Sequence, residues 1–583
     1  MRKSIPVILL LLFVASCGMR DLPLIDSIRF NQLGFYPLEE KIAVYTDQTP
    51  AHEFLVRDVE SGKVIYSSVV SAPRSSVFSD KHTYVLDFSS VESSGKYRLE
   101  LPGIGRSDEF EINSSVLSEV AKAGVKAFYF HRASTPIEEQ YAGKWNREAA
   151  HIDDKILVHS SAASSSRPEG AVISSSKGWY DAGDYNKYIV NSGFTVAILL
   201  SLYEDYSEQL NGLNMNIPES KNSTPDLLDE IHWNLDWMLT MQDPKDGGVY
   251  HKLTNPVFEG FITPIECKQQ RYVVAKSVTA TLDFAASMAQ ASRIFQAFNN
   301  DYPGFADKAL AASEKAFAWA LNHSESFYRQ GEFNKIFKPE IKTGEYGDRS
   351  VEDEFFWAST ELYITTRKSE YLDLAKKYIP EAFKLPDWSN VASLGTFSLL
   401  RCLQPDTSAE IQMLLNQQQE QLLSYAAASI EGADQSPYHA PYGRFATDFF
   451  WGCNSDAASS QGMTFLYAWK LTGDRNYLSN ALRNMDYILG KNATGYCYVT
   501  GFGSKSPMHP HHRLSASDEI AEPLPGFLIG GPNPGKQDGC TYPSSIPDEC
   551  YIDIVESYAS NEIAINWQAL FSYFSSALHY NLE

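Results

Sequence analysis

The sequence predicts a mainly α-helical protein in which a small immunoglobulin-like β-sandwich precedes a long helical domain. Three observations predict it: turn-punctuated strands over residues 27–113, helical periodicity from 114 nearly to 583, and a composition able to fill a large core. Hydrophobic residues make up 44% and charged residues 21% of 583 positions, a globular balance at a length that suits one large domain carrying a smaller one. Against 49 Lys plus Arg stand 72 Asp plus Glu, for a net charge of −23. Such a surface repels phosphate backbones and anionic lipid heads, which excludes nucleic acid as a partner and argues against a polybasic membrane reader. Ten Trp, 33 Tyr and 32 Phe supply flat rings that can stack on sugars, although most of them fill cores.

The chain opens with the basic Met1-Arg2-Lys3 and an apolar run from Ile5 to Ala15, the length of a signal-peptide core and too short to span a bilayer. Val14-Ala15-Ser16-Cys17-Gly18 resembles a bacterial lipobox, so residues 1–16 are read as a lipoprotein signal, Cys17 as the lipidated residue, and 17–26 as an anchor and linker. The alternative is an ordinary secretory signal with an incidental cysteine; both place the protein outside the cytoplasm. The other six cysteines match no zinc or redox spacing, and Cys540 and Cys550, in one Gly/Pro-rich loop, are candidates for a local disulfide.

Strands are read at Lys41–Tyr45, Glu53–Arg57, Thr83–Phe88 and Lys96–Leu101, with turns at Gly62, Ser93-Ser94-Gly95 and Pro102-Gly103, a spacing that suits an immunoglobulin-like sandwich without its disulfide. About twelve helices follow, near 115–132, 190–206, 224–241, 272–297, 304–322, 353–365, 370–379, 391–402, 407–428, 456–472, 476–490 and 560–580. In the third, Thr224 is read as a cap, Pro225 as a first-turn residue, and Leu227, Leu228, Ile231, Leu235 and Met238 as the buried stripe. Long loops over 145–180, 429–455 and 496–555 are where chemistry is sought.

Three constellations carry it. In Gly178-Trp179-Tyr180-Asp181-Ala182-Gly183-Asp184-Tyr185-Asn186-Lys187-Tyr188, two carboxylates three residues apart can converge on one water beside a stacked ring; alternatively one Asp caps the following helix. In Pro510-His511-His512-Arg513, His511 and Arg513 can donate to sugar hydroxyls, with metal binding by His509, His511 and His512 as a competing reading. In Tyr551-Ile552-Asp553 and Tyr558-Ala559-Ser560-Asn561-Glu562, Glu562 is either a first-turn acid on a helix dipole or a proton donor whose pKa is raised beside Tyr558 and Trp567.

Together these segments resemble glycoside hydrolase family 9, the inverting β-glucanases, in the subgroup with an N-terminal immunoglobulin-like domain. The likeness extends to Phe30-Asn31-Gln32-Leu33-Gly34-Phe35, Asp87-Phe88-Ser89-Ser90, Thr224 to Glu230, Gln242 to Lys252 and Asp353 to Ala358. The resemblance implies an (α/α)6 barrel over 114–583, Asp184 as general base with Asp181 helping to hold the water, Glu562 as general acid, and Asp553, His511 and Arg513 as the remaining active-site positions, the last two touching sugar. Cys497 and Gln568 depart from the family pattern and touch positioning rather than reaction class.

The expectation is therefore an exported, outer-membrane lipoprotein, facing either leaflet side, that cuts β-1,4-glucan internally, with xyloglucan or mixed-linkage glucan favoured. An exo-acting glucosidase or glucosaminidase and a non-catalytic glycan binder are the alternatives; segment 145–180 closing one end of the cleft would favour the former. Catalysis needs no cofactor. The resemblance also implies that a structural calcium ion can be bound, at a site that the sequence does not locate.

Overall fold

The computed structural model describes residues 22–583 except 48, 80 and 404–407, so the proposed signal and Cys17 lie outside the described residues. The sandwich has strands β1 (Ile28–Arg29), β2 (Ile42–Thr46), β3 (Glu53–Asp58), β4 (Val64–Val69), β5 (Arg74–Ser75), β6 (His82–Asp87), β7 (Gly95–Leu101) and β8 (Gly105–Ile112). They form two four-stranded sheets in the orders β1-β2-β6-β5 and β4-β3-β7-β8. In β3 every second residue faces inward, so Phe54 and Val56 are buried while their neighbours are not, as strand pleating requires. The interior is aromatic: Phe35 meets Phe88 and Phe110 edge-on, with ring centroids 5.0 and 5.4 Å apart.

Twelve helices of nine residues or more are present among the described residues, in two alternating classes. Ile189–Leu210, Val278–Phe295, Glu352–Thr366, Ala392–Cys402, Ser460–Thr472 and Ile565–Leu582 are buried on nearly every face over most of their length. Between them in sequence come Ser118–His131, Asp226–Thr240, Phe305–Asn322, Ser369–Lys377, Ala409–Ile430 and Arg475–Ile488, each with one buried stripe; in Ala409–Ile430 it is Ile411, Leu414, Leu415, Gln418, Leu422 and Ala426. A helix surrounded by others loses its polar face and an outer one keeps it, so the alternation is an inner ring of six inside an outer ring of six, the (α/α)6 barrel.

Several boundaries differ from the sequence reading. Tyr272–Val273 is a strand, and its helix starts only at Val278, where the Ser277 side chain accepts the Ala280 N–H. Thr224 does not cap: its hydroxyl donates to Asp301, 2.8 Å away. Loop 145–180 contributes β9 (Ile156–Val158) and β10 (Val172–Ile173), which join β11 (Lys187–Tyr188), β12 (Lys252–Thr254) and β13 (Tyr272–Val273) in a sheet ordered β10-β9-β13-β12-β11. Cys540 and Cys550 are free thiols rather than a disulfide; Cys550 is buried behind the turn Pro547–Glu549, while Cys540 sits half-buried on a turn held by Asp538. No helix among the described residues is long and apolar enough to cross a membrane.

The motif Phe30-Asn31-Gln32 docks the sandwich on the barrel. Asn31 Nδ2 donates to Asp486 at 2.9 Å, Gln32 Nε2 to the Gly495 carbonyl at 2.8 Å, and the Gln32 N–H to the Leu489 carbonyl at 3.0 Å. Gln568, one of the two departures from the family pattern, ties the last helix to two other segments: Nε2 donates to the carbonyls of Gly124 and Gly526, both at 2.9 Å, and Oε1 accepts the Leu528 N–H at 2.9 Å. Replacing Gln568 with Ala takes the partner from two buried loop groups, the Gly526 carbonyl and the Leu528 N–H. The variant is expected to lose about 2–5 kcal/mol of stability, seen as an earlier midpoint in denaturant unfolding.

Candidate active site

The segment 178–188 is held from below before it meets its partners. Trp179 is fully buried, its indole donating to Glu230 at 2.8 Å and its N–H received by Asn234 at 3.1 Å, both on Asp226–Thr240. Downstream, Lys187 and Tyr188 pair with Leu253 and Lys252 in the small sheet. Neither Asp181 nor Asp184 caps the following helix, whose first residue follows Tyr188 without any side-chain cap. That leaves both carboxylates for chemistry.

Asp181 is 1% exposed and Asp184 6%, so Asp184 is the more accessible. Asp181 accepts from Asn191 at 2.7 Å and from the Tyr346 hydroxyl at 2.7 Å. Asp184 Oδ2 accepts from Asn186 Nδ2 at 2.5 Å and from the Tyr188 hydroxyl at 3.0 Å. Asn186 is itself oriented, because its Oδ1 accepts the Asn255 N–H at 2.8 Å and the Thr254 hydroxyl at 3.1 Å. Burial, and after it the charge of Asp184, raises the Asp181 pKa.

Glu562 is not in the first turn of the last helix. It lies on an extended link between the short turn Tyr558–Asn561 and Ile565–Leu582, backbone-paired in parallel with His511. Its own carbonyl accepts the Gly530 N–H at 2.9 Å. Burial pushes the Glu562 pKa well up, and the charges of Asp184 and then Asp181 push it further, while Arg513 and the Gly183 N–H act the other way. A raised pKa on one carboxyl, opposite a carboxylate that accepts hydrogen bonds, is the division of labour of an acid and a base.

Gly183 joins these parts. A Cβ there would fall 2.3 Å from the His511 carbonyl oxygen, 2.7 Å from the His511 ring and 3.0 Å from Glu562 Oε1, so only glycine allows the approach. Arg513 reinforces it: its N–H reaches the Gly183 carbonyl at 3.2 Å and its guanidinium the same oxygen at 2.6 Å, with Nε on the Glu259 carbonyl at 2.9 Å. Arg513, expected as a sugar contact, is thus first a strut for the aspartate loop.

His511, expected as a donor to sugar, is an acceptor in the structure. Burial lowers its pKa to about 4, so it is neutral near pH 7, and its Nδ1 lies 2.6 Å from the Val555 carbonyl, which fixes the proton there and leaves Nε2 as an acceptor for a sugar hydroxyl. Asp553, expected among the catalytic groups, accepts the N–H groups of Met508 and His509 at 2.8 and 2.9 Å and Asn561 Nδ2 at 3.0 Å; it positions the loop that carries His511. The competing metal reading fails, since His512 stacks on His131 and turns its Nδ1 to Ser515. No group of three or more His, Cys, Asp or Glu side chains among the described residues is arranged to hold a metal ion.

Sequence reasoning gave no role to Asn191, Tyr346 or Lys252. Lys252 is buried, its ammonium donating to Gln330 at 2.7 Å and Thr343 at 3.1 Å and lying 5.5 Å from the centre of the Tyr188 ring. Burial lowers its pKa to about 7, opposed by the charges of Asp184, Glu345 and Asp181. It is the buried cation behind the aspartate pair. Lys252 lies in the family-like run Gln242 to Lys252, but nothing in local spacing signals a contact with residues 330 and 343.

The chain as a whole is similar to known proteins. The profile of Glycosyl hydrolase family 9 matches residues 118–575, and that of the Cellulase N-terminal ig-like domain matches 25–106. The chain belongs to glycosyl hydrolase family 9. It is a glycoside hydrolase. It is 55% identical over 553 residues, covering 95% of this chain and 94% of the relative, to a xyloglucan-specific endo-β-1,4-glucanase of Bacteroides ovatus. It is 34% identical to Endoglucanase D of Acetivibrio thermocellus, covering 94% of this chain and 82% of that protein. Among solved structures, a Bacteroides ovatus family 9 protein superposes with a TM-score of 0.92 at 52% identity, covering 96% of this chain and all of that one. A metagenome-derived family 9 endoglucanase gives 0.85 at 32%, covering 95% and 98%.

Two outcomes follow for this family 9 site. Tyr346→Phe removes one of the two donors to Asp181 and is expected to lower kcat about 10- to 100-fold with little change in KM, read in steady-state kinetics. In kcat/KM against pH, activity falls on the alkaline side as Glu562 loses its proton. Asp181→Asn deletes a negative charge that favours protonated Glu562, so the alkaline limb of its residual activity moves to lower pH.

Proposed function

We propose that this family 9 enzyme hydrolyses internal β-1,4-glucosidic bonds of a soluble plant β-glucan, xyloglucan first and mixed-linkage glucan second, with inversion at the anomeric carbon. The observation that carries the chemistry is the pair itself: Asp184, accepting hydrogen bonds from Asn186 and Tyr188, near a Glu562 whose pKa burial, and after it the Asp184 charge, holds well up. The 55% likeness to a xyloglucan-specific relative supports the choice of glycan.

In the reaction, Asp184 takes a proton from a water that Asp181 helps to hold, and the water oxygen attacks the anomeric carbon. Glu562 gives its proton to the departing glycosidic oxygen as the C–O bond breaks on the opposite face of the ring. Inverting enzymes separate the two carboxyl groups by roughly 6.5–9.5 Å to admit that water. Each turnover leaves Asp184 protonated and Glu562 ionised, and proton exchange with solvent resets both. His511 Nε2 accepts from a hydroxyl of the sugar beside the bond.

Export as a lipoprotein through Cys17, with the enzyme held at an outer membrane, is part of the same proposal. A basic start, an apolar core and Val14-Ala15-Ser16-Cys17 support it. Structural calcium is proposed as well. No catalytic step passes through it. Added Ca2+ is then expected to raise the unfolding temperature and a chelator to lower it; indifference to both removes calcium from the account.

The test of the reaction is product analysis on xyloglucan, mixed-linkage glucan, carboxymethylcellulose and short cello-oligosaccharides. Wild type is expected to release mixed-length oligosaccharides early, from xyloglucan most rapidly, and Asp184→Asn and Glu562→Gln to lose at least about 10³-fold in kcat. Single sugars alone would identify an exo enzyme, and undiminished variants would remove the two residues from their roles.

A further inference from the structure

Away from the cleft, one histidine ties the barrel to the sandwich between two groups of opposite charge. His439 lies in loop 429–455 and is 7% exposed. Its Nδ1 is 3.1 Å from Arg74 Nη1 on β5, and its Nε2 is 3.2 Å from Glu40 Oε1 on the link into β2. Both partners belong to the sandwich. The ring is aimed by a backbone in the left-handed region, with φ 51°, a conformation that histidine adopts more readily than most residues but that still costs energy.

The chemistry of the two partners decides the protonation state. A guanidinium only donates and keeps its charge, so the nitrogen facing Arg74 accepts, and the His439 proton sits on Nε2 toward Glu40. The contact is complete only with a neutral ring. A second proton, on Nδ1, removes the acceptor and sets an imidazolium against the Arg74 cation.

The surrounding charges are already engaged. Glu40 accepts Arg483 Nε at 2.6 Å and Nη2 at 2.9 Å, and Asp434, 4.0 Å from His439 Nε2, accepts Arg483 Nη1 at 2.6 Å. On the barrel side Lys491 Nζ lies 3.5 Å from the His439 carbonyl and 3.3 Å from Asp486, the acceptor of Asn31. Burial lowers the His439 pKa, the Glu40 hydrogen bond opposes it, and the Lys491 and Arg483 charges add to the lowering. Arg74 also begins the β5–β6 hairpin, which presses on the barrel: Arg74 Nη1 donates to the Ser436 carbonyl at 3.0 Å, Phe78 meets Phe449 edge-on at 5.7 Å, and Lys81 pairs with Glu549.

We propose that His439 is an acid-sensitive latch between sandwich and barrel: neutral, it joins Arg74 to Glu40, and protonated, it repels Arg74 and loosens the β5–β6 hairpin. Because its pKa falls on folding, the stability it contributes is whole above the ordinary histidine value of about 6.5 and is lost as pH falls toward the lowered one. Other buried histidines, His131 and His251 among them, are lowered too, so the test is local.

Hydrogen exchange of the full-length protein, read by mass spectrometry and corrected for intrinsic rates, compares the hairpin at about pH 7.5 and about pH 5. Wild type is expected to lose about tenfold in hairpin protection at the lower pH while β3 and β7 stay protected. His439→Gln keeps an acceptor and a donor but does not titrate, and Arg74→Met removes the opposed cation; each is expected to abolish the step. Should His439→Gln fail to fold, Arg74→Met decides alone. Equal wild-type protection at both pH values overturns the proposal, as does a loss shared by β3 and β7, which is unfolding of the whole sandwich. A step that survives in a folded variant also overturns it, because another group then drives the change.

Discussion

Gly183 sits where three distant segments touch: the aspartate loop, the strand-like stretch at His511, and the link that carries Glu562. Because it has no side chain, the loop packs directly against the His511 carbonyl, and Arg513 clamps the Gly183 carbonyl in place. The His511 N–H bonds the Asn561 carbonyl at 2.8 Å, and the Ile565 N–H bonds the Asp181 carbonyl at 2.8 Å. These contacts bring residue 184 and residue 562, almost four hundred positions apart, to one place. Burial raises the Glu562 pKa first, and the charges of Asp184 and Asp181 add to it only because of that closeness.

The barrel supplies the surroundings that make the charges count. Inner helices exclude water around Asp181 and Asn191, so hydrogen bonds there are electrostatically strong and an unpaired charge is costly. Lys252 offsets part of that cost from behind. The sandwich takes no part in proton transfer; it docks through Asn31, Gln32 and the Glu40–Arg483 ion pair at 2.6 Å, on the helix and turn that lead into loop 496–555.

Much of this was legible in the sequence, and what was missed has physical causes. Helical periodicity located all twelve long helices because each outer one keeps a buried stripe and each inner one is a long apolar run. Their ends were less legible: Thr224 looked like a cap but bonds Asp301 from across a turn, and Tyr272–Val273 became a strand because β9 and β12 flank it. Asp181, Asp184 and Glu562 stood out as acids among aromatics. The roles of Asp553, Arg513 and His511 differ because each depends on a partner more than forty positions away, namely the 508–509 amides, the Gly183 carbonyl and the Val555 carbonyl. Tyr346 and Lys252 act through contacts spanning 165 and 91 residues, which no local pattern encodes.

The central claim is that Asp184 and Glu562 work on opposite faces of one sugar with a water between them. Proton NMR of the first-formed product, recorded during the opening minutes of hydrolysis before mutarotation, tests it most directly. The account predicts that the new reducing end appears as the α-anomer from a β-linked glucan. A β-anomer formed first would mean retention through a covalent intermediate, and would contradict the assignment of base and acid made here.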